Sequence, residues 1–554
     1  MTTSAVSYGA PMQPITEVAA RLGLSQEDLV LYGSHKAKVK LSVLDRPRSG
    51  PPARLVLVSA ITPTPAGEGK TTTSIGLAQA LDMLGEKPCL ALREPSLGPC
   101  FGVKGGGTGG GLCKVEPHVD INLHFNGDFH AITSAHNLVA SVIDNHLHFW
   151  TKLRIDPRHV VWPRVLDLND RALRGVTLGL GGPTQGMPRQ CSFDITAASE
   201  VMAILCLAES REDLRRRLDN VLVAYRPKMG PLYLRDLGIT GALMALLKDA
   251  IVPNLVQTIE GTPALLHGGP FANIAHGCNS VLATRMASQL ADWVITEAGF
   301  GFDLGAEKFF DIKCAGAGLN PNAVVLVATV RALKMHGGVG QKDLTTPDPE
   351  AVQRGLANLD KHIENVQAFG KPPIICLNRF GTDSDDEIAT VRERCAALGL
   401  PFAESDHFMR GGEGALELAR VVVQHTPVEP SPLKTLYDWS EPIPAKIAKV
   451  AATIYGARDV VYTKQAARDL RRLRALGFED LPVCIAKTQS SLSDDPKLRG
   501  RPRDFEITVR GLQVNSGAGF VVVLTGDLLR MPGLPRRPQA LDVDLVDGEI
   551  VGIG

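Results

Sequence analysis

The chain reads as an α/β protein with a parallel sheet and a phosphate-binding loop, and three observations carry that reading. Short Val/Ile/Leu runs alternate with longer amphipathic stretches, the pattern of strands joined through helices. An apolar run at 55–61 leads into the decapeptide PTPAGEGKTT at 63–72, and a helix-like segment follows it. A second apolar run at 89–92 completes a strand, loop, helix and strand in order.

Within the decapeptide each residue type has a task. Gly67 and Gly69 let backbone amides turn toward phosphate oxygens, Lys70 brings a mobile cation to the terminal phosphates, and Thr71 offers a hydroxyl to Mg²⁺. The dipole and unpaired amides at the start of the helix add to the attraction. Thr64, Pro65, Ala66, Gly67, Glu68, Gly69, Lys70, Thr71 and Thr72 are the expected ATP-binding residues. Thr64, flanked by Pro63 and Pro65, stands where the general pattern begins with glycine, so the motif is a variant. In the helix, Leu77, Leu81 and Leu84 share one face, and Gly85 stops it.

These signals predict a P-loop NTPase-like major domain over 1–345 with inserted segments. The stretch GVKGGGTGGG at 102–111 is too glycine-rich for a regular element and reads as a loop. A strand at 324–329 leads into a helix ending at Gly338, and TTPDP at 345–349 reads as a connection. A second α/β unit is expected over 346–440, with a strand at 373–377 ending in Asn378, Arg379 and Phe380. A helix at 447–455 and strands near Val483, Ile507 and Val521 predict a mixed α+β C-terminal domain over 441–554.

Composition narrows the class. A length of 554 residues exceeds one core and suits two to four domains. Lys and Arg number 59 and Asp and Glu also number 59, which argues against binding nucleic acid through net charge. Ten cysteines without close pairing point to a reducing compartment, with the cytoplasm as the default. The N-terminal MTTSAVSYGAPMQ lacks a basic and apolar leader, and no run is long enough to span a bilayer. His124, His130 and His136 do not form a zinc site, because helix-like spacing from Val139 does not extend back through all three. Cys278 near His276 reads as a buried thiol, since residues two apart on a helix do not face each other.

Five segments together resemble the formate–tetrahydrofolate ligase family over nearly the whole length: TPTPAGEGKTT from Thr62, LREPSLGP from Leu92, DINLHFNGDFHA from Asp120, VATVRALKMHGG from Val327 and AKTQSSLSDD from Ala486. The resemblance implies that ATP, formate and tetrahydrofolate give ADP, phosphate and 10-formyltetrahydrofolate through formyl phosphate, as part of one-carbon metabolism. It also implies a homotetramer, and the length leaves no room for a fused dehydrogenase and cyclohydrolase module. The variant loop with Thr64 is the form this family uses. The chain departs from the family at GGGTGGGL from Gly105 and at Phe408, which stands in place of a tryptophan.

The chemistry assigns roles in turn. Formate has no good leaving group, so γ-phosphoryl transfer makes a mixed anhydride, and that step needs positioning and charge neutralisation. Lys70 and Mg²⁺ suit it. Arg93 follows a strand at the end where α/β sheets bind ligands, and its planar fork suits formate and then formyl phosphate. The resemblance implies that Phe380 and Phe408 face the two sides of the pterin, and Phe300 is a further candidate for the folate or intermediate pocket; by itself a phenylalanine reads as core. It further implies that Glu94 and Asp128 lie near a monovalent cation, K⁺ or NH₄⁺, where each alone reads as a solvated or salt-bridged acid. The phosphate loop alone leaves open another P-loop ligase, a metal-delivery GTPase or a non-catalytic nucleotide-binding scaffold.

Overall fold

The computed structural model describes residues 12–48, 50–104, 106–272, 274–526 and 529–553. The start of the N-terminal stretch, through residue 11, lies outside the described residues, as does Gly105. Among the described residues, one twelve-stranded sheet organises the fold. Its strands in chain order are β1 (Leu29–Leu31), β2 (Ala37–Val39), β3 (Arg54–Ala60), β4 (Pro88–Leu92), β5 (Gly109–Gly110), β6 (Cys113–Glu116), β7 (Asn254–Thr258), β8 (Pro263–Leu266), β9 (Trp293–Glu297), β10 (Ala323–Ala328), β11 (Pro373–Asn378) and β12 (Phe402–Ser405). The spatial order is β1-β2-β7-β8-β4-β9-β3-β10-β11-β12, with β6 on β7 and β5 on β6. From β8 to β12 every neighbouring pair is parallel, with β3 at the centre.

Four helices bear on the site, α1 (Lys70–Met83), α2 (Asp128–His148), α3 (Val330–His336) and α4 (Pro349–Ala368), and α5 (Lys464–Ala475) lies in the C-terminal part. Side chains of β3 alternate between two cores, as period-two geometry requires. Val56, Val58 and Ala60 pack in one cluster with Ile75, Leu77 and Leu81 of α1. Leu55, Leu57 and Ile61 pack in the other with Val352, Leu356, Leu359 and Ile363 of α4. Covering both faces explains why the central parallel strands are mostly apolar. Each such aliphatic side chain contributes about 1.5–3 kcal/mol of burial.

Several expectations change in detail. Leu84 caps α1 and is exposed, because the helix ends at Met83; Gly85 follows at φ 82°, the left-handed conformation that closes a helix. The glycine stretch is not all loop: Cys100–Lys104 forms a π-helical turn, and Gly109–Gly110 pairs with Lys114 and Cys113. A Cβ on Gly109 would lie 2.2 Å from the Cys113 carbonyl oxygen, so glycine permits this pairing. The strands within 346–440 extend the sheet that contains β3, since β11 pairs β10 and β12 pairs β11. Helix α2 begins at Asp128, eleven residues before Val139, and includes His130 and His136 but not His124, because Gly127 at φ 87° starts it. Toward the C-terminus, Val483–Ala486 pairs Phe520–Leu524, which pairs Gly511–Asn515, and Glu506–Val509 pairs Asp459–Tyr462. Among the described residues no helix is long and apolar enough to cross a membrane.

Candidate active site

The parallel strands bring their carboxyl ends to one edge, and nearly every candidate residue sits there. The glycine loop follows β3, Arg93 and Glu94 follow β4, Phe300 follows β9, Phe380 follows β11 and Phe408 follows β12. Open α/β sheets bind ligands at this edge.

The loop is held from beneath and open at its tip. Glu68 is buried; one carboxylate oxygen accepts the Thr64 amide at 2.6 Å and the other accepts the Thr329 hydroxyl. Asn378 donates to the Glu68 carbonyl at 3.1 Å. The Glu68 side chain therefore shapes the loop from inside, while Pro65, Ala66 and Gly67 are exposed. Gly69 adopts φ 75° at the start of α1, and a Cβ there would meet Asn378 Nδ2 at 2.5 Å. The start of α1 has no side-chain cap, which leaves its first-turn amides directed at the loop.

Thr62, one step before the decapeptide, is gripped on every side. Asn358 Nδ2 donates to the Thr62 hydroxyl at 3.0 Å, and the hydroxyl also meets His362 at 3.0 Å. His336 Nε2 lies 2.8 Å from the Thr62 carbonyl, and its Nδ1 accepts the Gly500 amide at 3.1 Å. That pair of contacts fixes the tautomer: Nε2 carries the proton and donates. Burial pushes His336 down to about 4, so it is neutral there.

Three side chains converge beyond the loop, one from the start of α1 and the others from the carboxyl ends of the neighbouring strands β4 and β9. The Thr71 hydroxyl donates to Glu297 Oε2 at 2.8 Å, and Arg93 Nη2 lies 3.6 Å from Glu297 Oε1. Arg93 Nη1 reaches the Pro270 carbonyl at 3.4 Å, and its buried Nε meets no acceptor. Glu297 is buried at the end of β9 between β3 and β4. Its carboxylate and the Thr71 hydroxyl form a hard-oxygen pair of the type that Mg²⁺ takes.

Phe300 sits at φ 58° between Gly299 and Gly301, a conformation that a bulky residue adopts only where its surroundings impose it. Three residues on, Asp303 forms an ion pair with Lys487 at 2.7 Å, both fully buried. The C-terminal part thus anchors the turn that carries Phe300.

Phe380 is half-buried with the Arg331 guanidinium 4.2 Å from its ring centroid. Phe408 is 45% exposed and lies over the glycine strand, where a Cβ on Gly110 would be 3.0 Å from its ring. Its carbonyl accepts the Leu112 amide at 3.0 Å. Beside it, His407 is buried against α1, 3.2 Å from the Thr72 hydroxyl and 2.8 Å from Ser405 Oγ. Gly76 makes this approach possible, since a Cβ there would be 2.8 Å from His407 Cβ.

Glu94 and Asp128 are adjacent and buried, but the positive charge beside them belongs to the protein. Lys38 Nζ contacts the two Asp128 oxygens at 2.8 and 3.0 Å, and Asn254 donates to Asp128 at 2.8 Å. Burial, reinforced by the Asp128 charge, pushes Glu94 well above the usual carboxylate range, so it is protonated. Only Glu94 Oε2 is left without a partner in this pair. With Lys38 in place, the donors do not fit a second cation at Asp128.

His276 and Cys278 lie in a non-helical segment where Cys278 bridges Ala298, contrary to the helical placement read from sequence. Cys278 is buried with its thiol pushed up to about 11 by desolvation. Among the described residues no group of three His, Cys, Asp or Glu is placed to hold a metal.

Glu297, Thr329, Asn378, His336 and His407 were not singled out from the sequence. A signal existed for three of them. Glu297, Thr329 and Asn378 are each the polar residue that closes an apolar strand, in WVITE, AVVLVAT and PIICLN, where parallel sheets place functional groups. Compared with known families, residues 1–554, the whole chain, match the family model described as formate–tetrahydrofolate ligase.

Proposed function

The chain belongs to the formate–tetrahydrofolate ligase family and is a ligase that joins formate to tetrahydrofolate with ATP, and we propose that it does so through formyl phosphate at the edge built by β3, β4 and β9. The observation that carries this is the convergence of Thr71, Glu297 and Arg93 beside a P-loop NTPase-like glycine loop. The loop amides and Lys70 hold the ATP phosphates. Thr71 and Glu297 would hold Mg²⁺, which neutralises phosphate charge when bound.

Arg93 receives formate, and its fork aims one carboxylate oxygen at the γ-phosphorus. That oxygen forms the new P–O bond as the bond to ADP breaks. Formate thereby gains a phosphate leaving group. Phe380 and Phe408 clamp the pterin, with Phe300 beside the folate, so that the arylamine nitrogen attacks the formyl carbon. Phosphate then leaves and the nitrogen loses its proton. The strand ends supporting the two aromatics are adjacent, which favours a shared platform. Lys38 supplies the charge at Asp128.

Formate labelled with ¹⁸O tests the route. One labelled oxygen should appear in the released phosphate for each turnover, and ADP release should require formate and tetrahydrofolate. Unlabelled phosphate, or ADP formed equally without either substrate, would overturn it.

A division at 1–345, 346–440 and 441–554 follows the connections read from sequence. The free cysteines suit a reducing compartment such as the cytoplasm. Family resemblance supports a homotetramer; light scattering showing a monomer at assay concentration would remove it.

A further inference from the structure

A second crevice, of about 970 Å³, lies between α5 with strand Gly511–Asn515 and the segment running from Arg158 to Asp194. None of the loop, Arg93, Glu297, Phe380 or Phe408 lines it. Its volume falls in the range of small-molecule sites.

Its chemistry is cationic. Arg472 on α5 stacks on Tyr225, with its guanidinium carbon 3.9 Å from the ring centroid, and its buried Nε and Nη2 meet no acceptor. Stacking fixes the guanidinium plane in advance and leaves its donor edge for a ligand. The exposed Arg174 donates from its Nε to the Met531 carbonyl at 2.9 Å. Arg189 shares the Asp144 carboxylate with Arg164, so two cations divide one anion.

The acids in the crevice do not cancel this excess. Asp194 pairs with Arg530 at 2.8 Å. Glu200 accepts the Gly517 amide at 2.7 Å and is pushed up to about 7 by burial. Asp469 accepts the Leu512 amide and the Gln465 side chain.

We propose that this crevice binds a small polyanion, with Arg472 as its fixed fork and Arg174 and Arg189 around it. Planar guanidinium donors select carboxylate or phosphate groups. A ligand with several such groups matches the number of arginines and the volume, whereas a single inorganic anion fills little of it. Polycarboxylates and polyphosphates share this chemistry.

Calorimetry on the full chain tests it, in Mg²⁺-free buffer with the glycine loop saturated by a non-hydrolysable ATP analogue. Citrate and pyrophosphate are titrated separately. At least one should bind at one per chain, with affinity at least about tenfold weaker in Arg472→Met and falling with salt. Binding of citrate alone assigns a polycarboxylate, and of pyrophosphate alone a polyphosphate. Formate-dependent ADP release should be unchanged in Arg472→Met, which also reports that it folds. If that variant does not fold, Arg174→Met decides by the same loss of affinity. Failure of both anions to bind, or binding that the folded variants leave unaltered, overturns the proposal without touching the ligase chemistry.

Discussion

The Thr71 hydroxyl donates to the Glu297 carboxylate at 2.8 Å although 226 positions separate them in sequence. The contact joins the start of α1 to the end of β9, and Arg93 approaches the other carboxylate oxygen from β4. One buried acid therefore orients both a loop hydroxyl and a guanidinium. Its charge also balances the cationic site when ligands are absent.

Glu297→Gln keeps the acceptor for Thr71 but removes the charge. Turnover should fall by about 100-fold or more, the scale of losing one aimed electrostatic group. The Mg²⁺ concentration giving half-maximal rate should rise. A variant with unaltered Mg²⁺ dependence would show that Glu297 only braces the loop.

Phe408→Ala should raise the tetrahydrofolate KM by roughly 2–10-fold, the equivalent of about 0.5–1.5 kcal/mol of ring contact. The KM for ATP should stay as it was. Phe408→Trp should hold or lower the folate KM, and steady-state kinetics in the three forms decides. An unchanged folate KM in the alanine form counts against stacking.

Lys487→Met should cost about 3–5 kcal/mol, because it leaves Asp303 buried without its partner. Lys487→Met combined with Asp303→Asn should recover part of this loss. Denaturant midpoints measure both. If the single variant is as stable as the parent, the pair does not anchor the Phe300 turn.

His336 gives a pH prediction with a definite sign. Its folded value of about 4 lies below the ordinary 6.5. Between these values the unfolded chain binds a proton that the folded one does not, so this residue's contribution to stability falls as pH falls from about 6.5 toward 4. His336→Gln should lose less stability than the parent between about pH 7.5 and pH 5, by up to about 2 kcal/mol. Comparing urea midpoints at the two pH values checks it, and parallel losses would remove the assignment.

The sequence made the loop, α1 and the strand-end position of Arg93 readable because each rests on neighbours within one βαβ unit. Phe380 was likewise placed after a strand that the structure contains. Glu297 was hidden because its partners come from β3 and β4, and no local period records which strands will be adjacent. Lys38 was hidden for the same reason: it reaches Asp128 from a short strand 90 positions away. The glycine stretch misled in part because glycine disfavours regular structure on average, whereas Gly109 is needed where the strand passes too close for a side chain. His407 reaches α1 only because position 76 is glycine, a steric fact visible after folding.

The grip on Thr62 has a consequence for synthesis. Asn358 and His336 touch both Thr62 and Gly500, so residues near the far end of the chain help to close a clamp around its beginning. A nascent chain that has exposed the glycine loop cannot yet hold it, and at about 5–20 residues per second several tens of seconds of translation intervene. The clamp beneath the loop is thus completed late, and a partly made chain carries the glycine loop without it.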